Sequence, residues 1–94
     1  MIIDERVVTE FLKSVAKNNV LLKDMMAKKD VKVVKRKTSL GCAEYNLLSK
    51  DNRVMIKIYI TKKHIKLITS KNTKFDYSKE WLEFLKVQDA VKTV

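Results

Sequence analysis

Apolar residues recur at Val7, Val8, Phe11, Leu12 and Val15, the three-and-four spacing of one helix face, and Asp4 with Glu5 stands where a helix start favours acid. A helix is therefore expected from about residue 5. Asn18-Asn19 interrupts the stripe before Val20, Leu21, Leu22, Met25 and Met26, which predicts one bent helix or two short ones. From Asp30 the period changes to two. Val31–Lys37, Ala43–Leu48, Val54–Thr61 and His64–Thr69 read as strands, with turn chemistry at Ser49-Lys50-Asp51-Asn52 and a tight Lys62-Lys63 connection. Within the third strand, Val54, Ile56, Ile58 and Ile60 define one face, and Met55, Lys57 and Tyr59 the other. Asp76 or Ser78 can cap a last helix whose apolar side is Tyr77, Trp81, Leu82, Phe84 and Leu85, continuing through Val87, Val91 and Val94.

The expected architecture is α+β, in the order α-β-β-β-β-α. A four-stranded antiparallel sheet carries the N-terminal and C-terminal helices on its isoleucine face, because that face needs cover and both helices have apolar stripes to supply it. With 94 residues the chain is expected to be one basic domain with a small core, for which a partner subunit would be a natural support. A homodimer through the C-terminal helix is one such arrangement.

Composition narrows the setting. Apolar residues make up 46% of the chain, which argues against disorder, and no apolar run approaches the roughly 20 residues of a membrane span. The start, Met1-Ile2-Ile3-Asp4-Glu5, lacks the basic opening and apolar core of a secretory signal. One cysteine and one histidine cannot build a four-ligand zinc site or an internal disulfide, so neither metal nor cofactor is expected, and a reducing cytoplasm is the expected location.

Charge changes the picture most. Residues 1–27 hold four basic and four acidic side chains, and residues 75–94 hold three and four; residues 28–74 hold fourteen and three, a net +11. The stretch from Arg53 to Lys74 has seven basic residues and no acid. Lysine on exposed strand positions limits edge-to-edge aggregation and aids solubility, and a solubilising or protein-interaction module is one reading. Mixed signs would serve that end with less self-repulsion. Cations two apart on a strand project to one face at ~7 Å intervals, close to the phosphate spacing of an extended nucleic-acid strand.

The leading expectation is accordingly a small nucleic-acid-binding protein, RNA favoured, acting as a phage-type regulator or inhibitor on a host RNA, host protein or ribonucleoprotein complex. Its expected contacts are Arg53, Lys57, Tyr59, His64 and Lys66, with Lys62 and Lys63 beside them. Lys35 and Lys37, or else Lys32 and Arg36, join from the first strand, depending on which side of it is buried. Tyr59, and in a second place Tyr45, offers a ring for base stacking, worth ~1–3 kcal/mol per base. RNA is favoured over duplex DNA because neither helical segment is basic enough to read a major groove. No catalytic residue is assigned: Cys42 lacks an activating partner, and His64 stands alone.

The helix, strand, helix order and basic charge are similar to double-stranded-RNA-binding domains and to the Alu-binding subunits of the signal recognition particle. The last helix opens Asp76-Tyr77-Ser78-Lys79-Glu80, where the former family carries a lysine-rich entry. Separately, Arg53-Val54-Met55-Ile56-Lys57-Ile58-Tyr59-Ile60 resembles the central strands of small ribonuclease toxins of the RelE type. Their glycine-rich loop and a clear first strand are missing here. That resemblance implies a catalytic set of Arg53, Tyr59, His64 and Lys66, with cations stabilising a scissile phosphate and tyrosine or histidine acting as acid or base.

Overall fold

A computed structural model describes residues 3–92, with side chains described for residues 3–88. Its elements are α1 (Glu5–Ala16), α2 (Val20–Ala27), β1 (Lys32–Ser39), β2 (Cys42–Leu48), β3 (Val54–Thr61), β4 (Ile65–Thr69), β5 (Lys74–Asp76) and α3 (Ser78–Lys92). The strands form one antiparallel meander in the order β1-β2-β3-β4-β5. The architecture is α+β with helices at both ends of the chain, and it differs from expectation in having five strands rather than four. The addition, Lys74-Phe75-Asp76, is too short to show a period of two; Phe75 pairs with Leu67 and packs on the core. None of the described helices is long and apolar enough to cross a membrane.

The N-terminal stripe resolves into two helices, α1 ending at the Lys17 cap and α2 starting afresh at Asn19. The carboxylate of Asp4 accepts from Val7 N at 3.0 Å and caps α1, whose Val8, Phe11, Leu12, Val15 and Ala16 are buried. The carboxamide of Asn19 then accepts from Leu22 N at 3.2 Å to cap α2, while its nitrogen donates to the Tyr77 hydroxyl at 2.6 Å. One side chain thus starts a helix and ties that corner to the entry of α3. Asp4→Ala removes the α1 cap and is expected to lower unfolding free energy by ~1 kcal/mol in urea titration. A variant as stable as the native chain would show that the packed face alone sustains α1.

On the sheet, the register sets the covered rows. Val33, Leu47, Ile56 and Thr69 lie across β1 to β4; Tyr45, Ile58, Leu67 and Phe75 form the next row; Ala43, Ile60 and Ile65 the third. Against them pack Phe11 and Leu12 of α1, Leu22 of α2 and Trp81 of α3. Phe11 meets Trp81 edge-on with centroids 4.9 Å apart, and Trp81 stacks on Phe84 at 6.1 Å. The helical stripe continues past Phe84, but the side chain of Val91 and the whole of Val94 lie outside the described residues.

Two bulges correct the alternation expected from sequence. Leu47 pairs with Ile56 and Leu48 with Val54, which leaves Met55 as the extra residue. Met55 is buried in the helix-side core and Val54 turns to the opposite face, the reverse of the expected assignment. In β1 the register steps between Lys35 and Lys37. A bulge inserts a residue without leaving any mark in the polar pattern.

Two connections at one end of the sheet are copies of each other. Ser49 N donates to Arg53 O and Thr69 N to Thr73 O, both at 2.9 Å, and the side-chain oxygens of Ser49 and Thr69 accept from Arg53 N and Thr73 N. Asn52 (φ 61°) and Asn72 (φ 63°) take the left-handed position in each. Asparagine tolerates that conformation better than most residues, which is why the turn expected at 49–52 forms, and why the same chemistry recurs at 69–72.

Candidate nucleic-acid interface

The second face of the sheet has no helix over it. Across it run Val34, Asn46, Lys57, Ile68 and Lys74 in one register row, and Lys37, Glu44, Tyr59, Lys66 and Asp76 in the next. Lys32 and Leu48 pair one position further along. Arg36, released from the ladder by the bulge, lines a cleft with Val34, Glu44, Asn46 and Lys57. The uncovered face therefore gathers Lys32, Arg36, Lys37, Lys57, Lys66 and Lys74, against the two acids Glu44 and Asp76, around a half-buried Tyr59. The bulge answers the choice left open for β1, since it lets Lys37 join Lys32 and Arg36 on the same side.

Other expected contacts fall elsewhere. Lys35 is in register with buried Tyr45, so it belongs to the helix side of the edge strand, although its own side chain is exposed. Tyr45 offers no ring to a base: it is 1% exposed, beneath α1, and its hydroxyl donates to Ile3 O at 3.3 Å. Arg53 sits at the β2–β3 end, lining a cavity with Met25 and Lys28 of the α2 region. Lys62, Lys63 and His64 form the turn at the opposite end, closed by Thr61 N donating to His64 O at 2.9 Å. Along the eight residues of β3, Arg53 and His64 are separated by roughly 25 Å. Tyr59 and Lys66 are cross-strand neighbours, but the four residues implied by the toxin resemblance do not meet at one place.

His64 is occupied structurally. Its Nδ1 lies 3.3 Å from Ser78 Oγ, which also accepts from Ile65 N at 3.2 Å, and Ser78 donates through Oγ and N to Asp76 at 2.6 and 2.9 Å. These hydrogen bonds, the side-chain one first, hold the Asp76 carboxyl below its ordinary value of 3.8, with smaller help from the charges of Lys66 and His64. A depressed folded-state value contributes stability above the ordinary one and loses it as pH falls through the folded one. Acid unfolding followed by circular dichroism should therefore show an added loss below about pH 4. Asp76→Asn should remove that part of the loss, and an unchanged acid limb would show the α3 entry does not depend on this carboxylate.

Pattern reasoning passed over the centre of the face. Asn46 is 3% exposed, and its carboxamide oxygen is buried with no hydrogen-bond partner. It lines the cleft of about 510 Å³ that also holds Arg36, Glu44 and Lys57. A second cleft of about 360 Å³, lined by Tyr59 and Ile68, shares Val54 and Lys57 with the first. Glu44 is half-buried and makes no ion pair or side-chain hydrogen bond among the described residues. The available signal was the i, i+2 spacing of Glu44 and Asn46, two acceptors on a face where cations outnumber acids. Among the described residues, no three His, Cys, Asp or Glu side chains cluster as metal ligands would. Comparison with family models, curated proteins and solved structures yields no match, so the site is argued from its own chemistry.

Proposed function

We propose that this chain binds nucleic acid, RNA in preference to duplex DNA, by laying an extended strand across the uncovered sheet face. One observation carries the reading: six cations from four strands share that face with a half-buried tyrosine. Lys32, Lys37, Lys57, Lys66 and Lys74 meet phosphates, Arg36 stands over the cleft between them, and Tyr59 receives a base. The preference for RNA rests on the helices, whose charges balance in residues 1–27 and which offer no basic rod for a major groove. Regulation or inhibition of a host RNA or ribonucleoprotein requires nothing beyond such binding, and cleavage is not part of the proposal because the candidate catalytic side chains lie apart. Lys35, alone on the helix side of edge strand β1, fits protection of the exposed strand edge instead.

A titration of single-stranded RNA against salt tests this. Five phosphate contacts to a single strand give log K falling with log[salt] at a slope of about −3.5. Duplex DNA of equal length should bind more weakly at every salt concentration. Absence of binding at low salt, or an affinity indifferent to salt, would remove the proposal.

A further inference from the structure

Asn46 Oδ1 is a buried acceptor without a partner, and the half-buried Glu44 two residues before it makes no ion pair among the described residues, in a place where cations would be enough for phosphate alone. Burying a polar atom without a partner carries a penalty that an apolar residue would avoid, and Asn46 stands in register between apolar Val34 and the exposed Lys57. The acceptor is not needed to hold the sheet, since strand pairing uses backbone groups. Resting on the RNA-binding reading above, we infer that the cleft floored by Asn46 is a base-selective subsite for guanine.

Base chemistry makes the choice. The Watson–Crick edge of an unpaired guanine presents N1–H and the N2 amine, two adjacent donors, whereas adenine, cytosine and uracil each present a single donor group there. Two acceptors two residues apart on one strand, Glu44 and Asn46, match a pair of donor groups. Guanine's other edge carries O6 and N7, both acceptors, which an arginine can take in a bidentate grip, and Arg36 lines the same cleft. No other base offers paired donors on one edge and paired acceptors on the other. Bases in single strands expose both edges, which is where proteins read RNA sequence.

The neighbouring cleft extends the register. Lys57 lies on the wall common to both clefts, and Tyr59 lines the second. A guanine in the first cleft therefore places its connecting phosphate at Lys57 and its neighbouring base against Tyr59. Arg36 and Lys57 are exposed side chains, able to swing aside and admit a base to the floor beneath them.

Fluorescence anisotropy with uridine decamers carrying one central G, inosine, A, C or U tests the inference on the whole chain at constant salt. The G-centred strand should bind about tenfold more tightly than the A, C and U strands. Inosine, which lacks only the N2 amine, should lose most of that advantage. Asn46→Leu, which removes the orphan acceptor, should raise the thermal midpoint while bringing the five strands to equal affinity, and Glu44→Gln should weaken the G preference with the fold intact. Equal binding of all five strands by the native chain would overturn the guanine subsite and leave RNA binding standing. A G preference that survives in both variants would also overturn it. Failure of every strand to bind would remove the parent reading and this one together.

Discussion

Trp81→Ala is expected to take a large share of the stability from the fold. The indole is fully buried, edge-on to Phe11 at 4.9 Å and stacked on Phe84 at 6.1 Å, so it is the bolt between α1, α3 and the sheet. Truncating a buried aromatic to alanine costs ~3–5 kcal/mol. A domain of this size has only about 5–14 kcal/mol in total, so urea unfolding followed by circular dichroism should show a midpoint reduced by about a fifth or more. Trp81→Phe should behave differently, because the indole Nε1 is itself buried without a partner. Its removal relieves a penalty of ~1–3 kcal/mol that offsets much of the lost packing. An alanine variant within ~1 kcal/mol of the native chain would contradict the role given to Trp81.

The second large effect is on binding. Lys57→Glu, Lys66→Glu and Lys74→Glu combined should reduce the single-strand RNA salt slope from about −3.5 to about −1.4, since two of five phosphate contacts remain. Raising salt from about 50 to about 200 mM would then weaken the native complex by about 100-fold and the variant by about 7-fold. All three side chains are exposed, so the fold should persist, which circular dichroism checks. Lys35→Glu is the discriminating control: it reverses a charge on the same sheet from the helix side and should leave the slope alone. Equal losses from Lys35→Glu and Lys57→Glu would mean that overall charge, rather than the uncovered face, attracts RNA.

Much of this fold can be read from residue types because it is built from regular repeats. The helix stripe through Phe11 and Leu12, the interruption at Asn18-Asn19 and the isoleucine alternation of β3 each express one physical period, and each element lies within a few residues of where that period puts it. What escaped was whatever breaks a period or depends on a neighbour across the sheet. The bulges move Met55 into the core and Lys37 to the open face; nothing in Val54-Met55-Ile56 or Lys35-Arg36-Lys37 announces them. Tyr45 and Tyr59 stand in equally strand-like settings, and only the pairing of Tyr45 with Ile58 and Lys35 shows which ring is covered. Arg53, Lys62, Lys63 and His64 are close to β3 in sequence but at its opposite ends in space. Asn46 looked like an ordinary polar strand residue because its burial comes from side chains on β1 and β3.

The meander has a kinetic corollary. Each strand zips onto the one just before it in the chain, so the twin asparagine turns and the Leu40-Gly41 tip close only small loops. Phe11 and Trp81, by contrast, are seventy positions apart, and their meeting must overcome the entropy of a far larger loop. The ribbon of strands is thus the natural nucleus, and docking of the terminal helices is the late event. Contacts formed after the barrier chiefly govern how fast the native state comes apart, so the lifetime of the folded molecule is set at the aromatic junction and its speed of assembly at the turns.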